Sequence, residues 1–224
     1  MKRRTKLEKP AQRRRSRSIA DAEIATWFKD KDFSCDWTSW HFPKWMELLA
    51  SYRGRAVRVP EIGSWEGRSA LFFLHYLPRA RLTCVDTFAG GQEHQDAAAA
   101  SPEEARSLEA LEQRFDANVR AFAARVEKVK AKSADALAQL GVDKRRFDIA
   151  YIDGGHRATE VYTDGVMTWP LMHHGGIMVF DDYQWREMPE RLDNPGPGID
   201  AFLKAIDGQY RMAHKKYQVA IIKR

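Results

Sequence analysis

The sequence predicts an α/β fold in which a mostly parallel sheet carries helices on both faces. Two observations predict it. From residue 56 onward, short apolar strand-like runs alternate with amphipathic helical segments, which is the pattern of parallel sheets. The composition, with 30% charged and 44% hydrophobic residues over 224 positions, is typical of one globular domain with a substantial core.

Two helices are predicted ahead of the first strand, at residues 19–30 and 39–54. In the second helix, apolar side chains such as Trp45 recur at helical spacing, and Gly54 can end it. We interpret residues 19–55 as an N-terminal helical cap over a site, and simple packing on the sheet is the alternative role.

Five strands are predicted from residue 56 to residue 182, and two short strands joined by a turn follow near the C terminus. The strands are predicted at residues 56–63, 81–88, 126–131, 146–153 and 176–182, with the final pair within 210–224.

Helices are predicted between and after these strands, at residues 69–77, 101–126, 133–141, 158–176 and 198–207, and the one at 158–176 is expected to bend or end near Pro170. The long helix has clear start signals: Ser101 as its N-cap, Pro102 at its first position and Glu104 completing a capping box. His173 and His174 fall at the predicted end of the fourth of these helices, where they complement the helix dipole.

The net charge of +6 is concentrated in the first 18 residues, which hold nine Lys or Arg and one Glu. The remaining chain carries −2, so the folded part is not basic. Because residues 1–18 lack apolar periodicity, they are predicted to form a disordered basic tail. The tail is either a solvated extension or a contact for nucleic acid, an acidic partner or an anionic membrane.

No segment is typical of secretion or membrane insertion. No apolar run follows the basic residues or approaches 18 residues, so neither a secretory signal nor a membrane span is predicted. Cys35 and Cys84 form no CxxC or zinc pattern, which suits a reducing cytoplasm. We therefore expect a cytoplasmic protein, and its oligomeric state, a homo-oligomer included, stays open.

A glycine-containing loop after the first strand is the first candidate binding feature. It reads EIGSWEGRS and places Glu61, Gly63, Gly67 and Ser69 at a strand-to-helix turn, where backbone can approach a ligand closely. The pattern is ExGxxxG and not the GxGxxG of dinucleotide sites, so NAD is disfavoured.

Asp86 ends the second predicted strand and is the next candidate. An acid there can accept hydrogen bonds from both hydroxyls of a ribose, and a turn-forming aspartate is the alternative. Loop and acid together favour a ligand with an adenosine ribose but no pyrophosphate, which S-adenosylmethionine (SAM) fits. Ser133 and Asp135, after the third strand, can reach the adenine, with helix capping as their alternative role.

Three segments resemble class I SAM-dependent methyltransferases: residues 61–74, 82–94 and 147–183. They are similar, more narrowly, to the small metal-dependent O-methyltransferases of antibiotic tailoring. That group contains macrocin, mycinamicin and novobiocin O-methyltransferases and cephalosporin hydroxylase-like proteins. The resemblance covers roughly residues 57–185. It implies a three-layer, doubly wound, Rossmann-like sheet of seven strands with the last antiparallel, in a methyltransferase domain over 56–224.

Three aspartates form a candidate metal site. Asp153 ends the fourth predicted strand in YIDGGH, and Asp181 and Asp182 end the fifth in VFDDY. In the resembled family these strands are neighbours, so their carboxyl ends meet above the sheet. Oxygen-rich sites select hard cations. The resemblance therefore implies that the three aspartates bind Mg²⁺ or another divalent cation.

His156, three residues after Asp153, is the candidate base, and Asp153 shares the catalytic site. An imidazole titrates near neutrality and can take the proton of a substrate hydroxyl. A supporting role at the start of the next helix is the alternative. His94, predicted on the loop after the second strand, borders either the substrate or the surface.

Together these features predict a SAM- and divalent-metal-dependent O-methyltransferase that acts on a hydroxyl of a small molecule, such as a natural product, sugar or phenol. One alternative is an RNA-modifying methyltransferase that uses the basic tail, the only part of the chain suited to nucleic acid. The other is a nucleotide-binding module without methyl transfer, which would not need the aspartates and His156.

Overall fold

The computed structural model describes residues 21–224, so the predicted tail at 1–18 lies outside the described residues. The strands are β1 (Arg58–Ile62), β2 (Arg81–Asp86), β3 (Val126–Lys130), β4 (Phe147–Ile152), β5 (Met172–Phe180), β6 (Tyr210–Lys215) and β7 (Val219–Lys223). They form one sheet in the order β3-β2-β1-β4-β5-β7-β6, in which β7 runs antiparallel to both neighbours. The predicted seven-stranded sheet with an antiparallel last strand is confirmed.

Helices cover both faces of this sheet. They are α1 (Asp21–Trp27), α2 (Phe42–Leu49), α3 (Arg68–Tyr76), α4 (Gln92–Ala100), α5 (Pro102–Glu109), α6 (Leu111–Val119), α7 (Ser133–Val142), α8 (Ala158–Thr168) and α9 (Pro195–Ala205). Alternate side chains of β4 point to opposite faces, as the pleat requires. Ile149 and Tyr151 join the apolar cluster with α2, α3 and α6, whereas Ala150 and Ile152 join the cluster with α7, α8 and α9.

The segment before β1 packs on the first of these faces. Trp45 of α2 is 1% exposed, and its ring lies 4.9 Å from the ring of Tyr151 on β4. Its indole N–H donates to Oε1 of Gln218 at 2.7 Å, next to the start of β7. The predicted helical segment therefore shares the main core and is joined to the C-terminal strand pair.

Several local predictions differ from the structure. The helix predicted at 101–126 is divided into α5, α6 and a 3₁₀ segment at Arg120–Arg125, and α4 was not predicted at all. His94 therefore lies in α4 and not on a loop. His173 and His174 lie at the start of β5 because the chain leaves the helical conformation at Trp169–Leu171, around Pro170. None of the described helices is long and apolar enough to cross a membrane.

Candidate active site

The loop after β1 begins and ends with a glycine. Gly63 has a φ of 83°, and its N–H donates to the carbonyl oxygen of Val85 at 2.9 Å. A Cβ at this position would collide with the carbonyl oxygen of Asp153 in the loop after β4. Gly67, also with a φ of 83°, precedes the first residue of α3. Gly63 thus brings the loops after β1 and β4 into direct contact, whereas Gly67 faces Phe115 and Val119 of α6.

Asp86 organises this loop. Its Oδ2 accepts hydrogen bonds from the backbone N–H groups of Ser64 (2.8 Å) and Trp65 (2.9 Å), and its Oδ1 accepts from Phe88 (2.6 Å). A carboxylate offers about four lone-pair positions, so these bonds leave about one for a ligand. Trp65 has a φ of 46°, a left-handed conformation that the paired N–H contacts help to hold.

Glu61 lies in β1, just before this loop, and is fully inaccessible to solvent. The hydroxyl of Ser64 donates to its Oε2 at 2.6 Å, whereas its Oε1 has no hydrogen-bond partner among the described residues. Burial raises the pKa of Glu61 to about 7, although the hydroxyl groups of Ser64 and Ser69 act in the opposite direction. A buried acceptor without a donor at a strand end is suited to a ligand ammonium or amide group.

The two candidates after β3 lie at the start of α7. Asp135 is exposed, and Ser133 is half-buried beside Asp164 of α8. Asp164 is 1% exposed, and burial raises its pKa to about 6. A Cβ on Gly154 would lie 3.3 Å from Asp164 Oδ2. Ser133 therefore borders the loop after β4, on the same side of the sheet end as Asp86.

Three of the predicted catalytic and metal residues converge at the ends of β4 and β5. Asp153, His156 and Asp182 each present a ligand atom, and these atoms lie within 4.8 Å of one another. Asp182 follows β5 with a φ of 57°, which Asp and Asn tolerate better than other side chains. Burial and the charges of Asp181 and Asp182 raise the pKa of Asp153 well above its usual value.

Asp181 is buried behind this group, 8% exposed, and its oxygens have partners of their own. Its Oδ2 accepts from the hydroxyl of Tyr151, and its Oδ1 accepts from the N–H of Asp182 at 2.8 Å. The Nε2 atom of His41 lies 3.4 Å from the same Oδ1. Burial and the charge of Asp182 raise the pKa of Asp181 to about 7.

Tyr151 joins the acidic residues through one hydroxyl. Its oxygen lies 3.0 Å from Asp153 Oδ2 and is also hydrogen-bonded to Asp181 Oδ2. One O–H can donate to only one of two acceptors, so two ionised carboxylates would leave one contact repulsive. Asp153 and Asp181 are therefore stabilised by either a shared proton or a cation. Their raised pKa values reflect the same repulsion between carboxylates.

His156 supplies positive charge beside these acids. Its Nδ1 lies 2.9 Å from Glu93 Oε1 in α4, and its Nε2 lies 3.1 Å from Asp182 Oδ2. Burial lowers the pKa of His156, but the hydrogen bonds and charges of the two carboxylates outweigh it and raise the pKa to about 10. The indole of Trp185 stacks on the imidazole at 4.7 Å. At neutral pH His156 is therefore an imidazolium held between two carboxylates.

Sequence reasoning missed Glu93, His41 and Tyr217. Glu93 lies within the motif at residues 82–94, but α4 directs its carboxylate toward His156, 63 positions away. The hydroxyl of Tyr217 donates to Asp182 Oδ1 at 2.8 Å. None of these pairings has a local sequence signal, since each joins segments that are distant along the chain.

Two exposed indoles border the site. Trp37 and Trp40, from the segment between α1 and α2, are each 57% exposed. The ring of Trp37 lies 5.7 Å from that of His94, beside Glu93, and the ring of Trp40 lies 4.8 Å from that of Tyr217. Aromatic faces therefore flank the acidic group on the side of the N-terminal segment.

The glycine-containing loop and the acids lie at the carboxyl ends of β1, β2, β4 and β5, which is the edge where open α/β sheets bind their ligands. A model of a family described as "Methyltransferase domain" matches residues 60–183, more than half of the 224-residue chain. The chain belongs to this methyltransferase-domain family, and the methyltransferase family that its motifs resemble is confirmed.

Solved structures with the same fold are distant in sequence. MycE methyltransferase from the mycinamycin biosynthetic pathway, in complex with Mg, SAH and mycinamycin VI, is 18% identical with a TM-score of 0.60 over 89% of this chain. This chain covers 52% of MycE, so it spans about half the length of that protein. The O-methyltransferase NovP is 16% identical with a TM-score of 0.58, covering 82% of this chain and 78% of NovP.

An O-methyltransferase from Bacillus cereus in complex with SAH is 16% identical with a TM-score of 0.59, covering 85% of this chain and 84% of that protein. At these identities the similarity establishes a common fold. No curated protein matches the chain by sequence.

Proposed function

We propose that this protein is a SAM- and divalent-metal-dependent O-methyltransferase that acts on a hydroxyl group of a small molecule. The observation that carries the proposal is the convergence of Asp153, His156 and Asp182 at the carboxyl edge of the sheet, next to the end of β1, where Glu61 lies. Acid, base and cofactor loop meet where ligands bind in open α/β sheets.

The residues of the β1 and β2 loops fit SAM. The unpartnered Oε1 of Glu61 suits the cationic ammonium of an amino acid moiety, and the remaining lone-pair position on Asp86 suits a ribose hydroxyl. Gly63 and Gly67 complete the loop, Ser69 supports Glu61, and Ser133 and Asp135 are the candidates for the adenine side. Asp86 would thus both bind the cofactor and hold the loop.

The acidic group fits a divalent cation. Asp153 and Asp182 present carboxylate oxygens close enough to share one ion, and oxygen donors prefer hard cations such as Mg²⁺. Asp181 is the third proposed ligand, provided that its Oδ2 exchanges the Tyr151 hydroxyl for the ion. The raised pKa values of Asp153 and Asp181 support the fit, because a divalent cation would offset the repulsion between these neighbouring carboxylates.

When bound, SAM supplies the methyl group and a divalent cation makes a nearby hydroxyl more acidic. The base we propose is His156, whose Nε2 faces the acids while Glu93 holds Nδ1. His156 accepts a proton only when neutral, and its pKa falls once the charge of Asp182 is offset. Glu93 then fixes the tautomer with the proton on Nδ1, which leaves Nε2 free to take the hydroxyl proton.

A small-molecule acceptor is supported by three features. The indoles of Trp37 and Trp40 provide apolar faces at the site. MycE was solved with mycinamycin VI bound, which makes a natural product, sugar or phenol the acceptor class to test first. The chain outside residues 1–18 carries −2, which disfavours RNA as the acceptor except through the tail.

The deciding experiment is transfer of labelled methyl from SAM to a panel of sugar, macrolide and phenol hydroxyls, with added Mg²⁺ and with EDTA. We expect methyl transfer to at least one acceptor, and we expect EDTA to stop this transfer while calorimetry still detects SAH binding. Full transfer in EDTA contradicts the metal role. Labelling of RNA but of no small molecule favours the RNA-modifying alternative, and SAH binding without transfer to any acceptor favours a pure binding module.

A further inference from the structure

A second polar cleft lies at the opposite edge of the sheet from the acidic group. It has a volume of about 140 Å³ and is formed by the amino-terminal ends of β1, β2 and β3. Arg81 begins β2 and Asp86 ends it, so at about 3.3 Å per residue the cleft is about 16 Å from the cofactor loop. The charged residues that line it are four arginines and one acid: Arg58, Arg81, Arg125, Arg145 and Glu127.

Two of these arginines stand opposite each other without an acidic partner. Arg58 and Arg81 are register partners on the parallel strands β1 and β2, so both side chains project from the same face of the sheet. Within residues 21–224, neither guanidinium forms an ion pair, and that of Arg81 donates to the carbonyl oxygen of Ala124 at 3.2 Å. Like charges directly opposite each other destabilise a sheet unless something offsets them.

The other two arginines are held in place by protein groups. Arg145 donates to Glu127 Oε2 at 2.8 Å and to the hydroxyl of Thr83 at 3.2 Å. Arg125 donates only to carbonyl oxygens within the described chain, among them that of Leu74 at 2.9 Å, and burial lowers its pKa. Among the described side chains, Glu127 is the one carboxylate that lines the cleft beside four guanidinium groups, so the cleft carries excess positive charge. Asp148, outside this lining, accepts a hydrogen bond from the backbone N–H of Arg58 at 2.9 Å.

We infer that this cleft binds the phosphate group of a small phosphorylated molecule. Guanidinium groups present paired donors that match the oxygens of a phosphate, and a dianion would offset the Arg58–Arg81 repulsion. A nucleic acid strand would need basic residues along an extended track, whereas these converge on one cleft in a domain that carries −2 outside its tail. The site is separate from the proposed methyl-transfer site and does not depend on it.

The test uses the full chain and two probes, inorganic phosphate and glycerol 3-phosphate, titrated at constant ionic strength against sodium chloride. Backbone amide NMR is expected to show saturable shifts that cluster at Arg58, Arg81 and Thr83. The double variant Arg58→Gln/Arg81→Gln is expected to bind at least tenfold more weakly. The matched control is Arg211→Gln, an exposed arginine on β6, and it is expected to bind as the parent does.

Because every protein in this comparison keeps residues 1–18, binding by the tail cannot produce the expected difference. The assignment is overturned if the shifts do not saturate, if they equal those produced by chloride, or if they fall outside the cleft. These outcomes are read from the parent chain, so they hold even if the double variant is unstable. Equal affinity of parent and double variant also overturns it. If a short oligonucleotide shifts the same amides at lower concentrations than glycerol 3-phosphate does, the proposed phosphorylated small molecule is wrong and the ligand of the cleft is a nucleic acid.

Discussion

Replacing Glu61 with glutamine tests two effects of its buried carboxyl group: the pH dependence of the free energy of unfolding, and the proposed binding of SAM. Glu61 is fully buried, and its pKa rises from 4.5 to about 7 because burial penalises the charged form. The folded protein therefore holds this proton more tightly than the unfolded chain does. The resulting stabilisation is fully present below pH 4.5 and is lost as the pH rises to about 7.

The magnitude follows from proton linkage. Between pH 5 and pH 8, a carboxyl group with these two pKa values changes the free energy of unfolding by roughly 2.5 kcal/mol. Glu61→Gln cannot ionise and should lack this change. Any cost of burying the amide N–H groups is the same at both pH values. It therefore cancels when the variant-minus-parent difference in unfolding free energy at pH 5 is subtracted from that at pH 8.

The assay is urea unfolding of the parent and Glu61→Gln at pH 5 and pH 8, with calorimetry of SAH and SAM binding. Relative to the parent, the variant should gain roughly 2.5 kcal/mol between the two pH values, while SAM affinity falls at least about tenfold because a charge-assisted hydrogen bond is lost. The exposed Glu109→Gln is the matched control and should change neither. A parent-to-variant difference that is the same at both pH values refutes the buried-charge argument, and unchanged SAM affinity refutes the role of Oε1.

Four further outcomes are expected. Asp182→Asn should weaken Mg²⁺ binding, measured by calorimetry, at least about tenfold, with SAH affinity unchanged; retained metal affinity contradicts its role as a ligand. His156→Ala should keep Mg²⁺ affinity and lose methyl transfer, and activity near the parent level removes it as the base. Glu93→Gln should lower the pKa of His156 from about 10 toward its ordinary value in an NMR titration of the metal-free protein, because one of two adjacent negative charges is lost; an unchanged titration would show that the Glu93 contact is weak in solution. Deletion of residues 1–18 should leave the unfolding midpoint and SAH affinity unchanged, whereas loss of either would make the tail structural.

Most of the sheet could be predicted because its signals are local. Apolar side chains are frequent in β1, β2, β4 and β5, and the acids and glycines at their ends mark the ligand-binding edge. The break at Ala110 between α5 and α6 had no such signal, since neither glycine nor proline occurs there. Pro170 did mark the end of a helix, but nothing local indicated that the strand would begin as early as Met172.

The candidate site was predictable in its acids and not in their partners. Asp153, His156 and Asp182 lie on motifs that follow neighbouring strands, so sheet topology alone brings them together. Glu93 and His41 reach the same place through α4 and the segment before α2, and only tertiary packing decides where those side chains point. The same packing turns Asp181 toward Tyr151, a difference between two adjacent aspartates that their sequence does not encode locally.

The left-handed backbone of Asp182 limits how this site can be engineered. A φ of 57° costs most side chains about 1–2 kcal/mol, whereas Asn and Gly adopt it readily. A library that seeks a softer metal by placing Cys at position 182 would therefore lose about 1–2 kcal/mol of folding stability in those members. Asp153 has no such backbone constraint. Ligand exchange should start at Asp153, with position 182 limited to Asp, Asn and Gly.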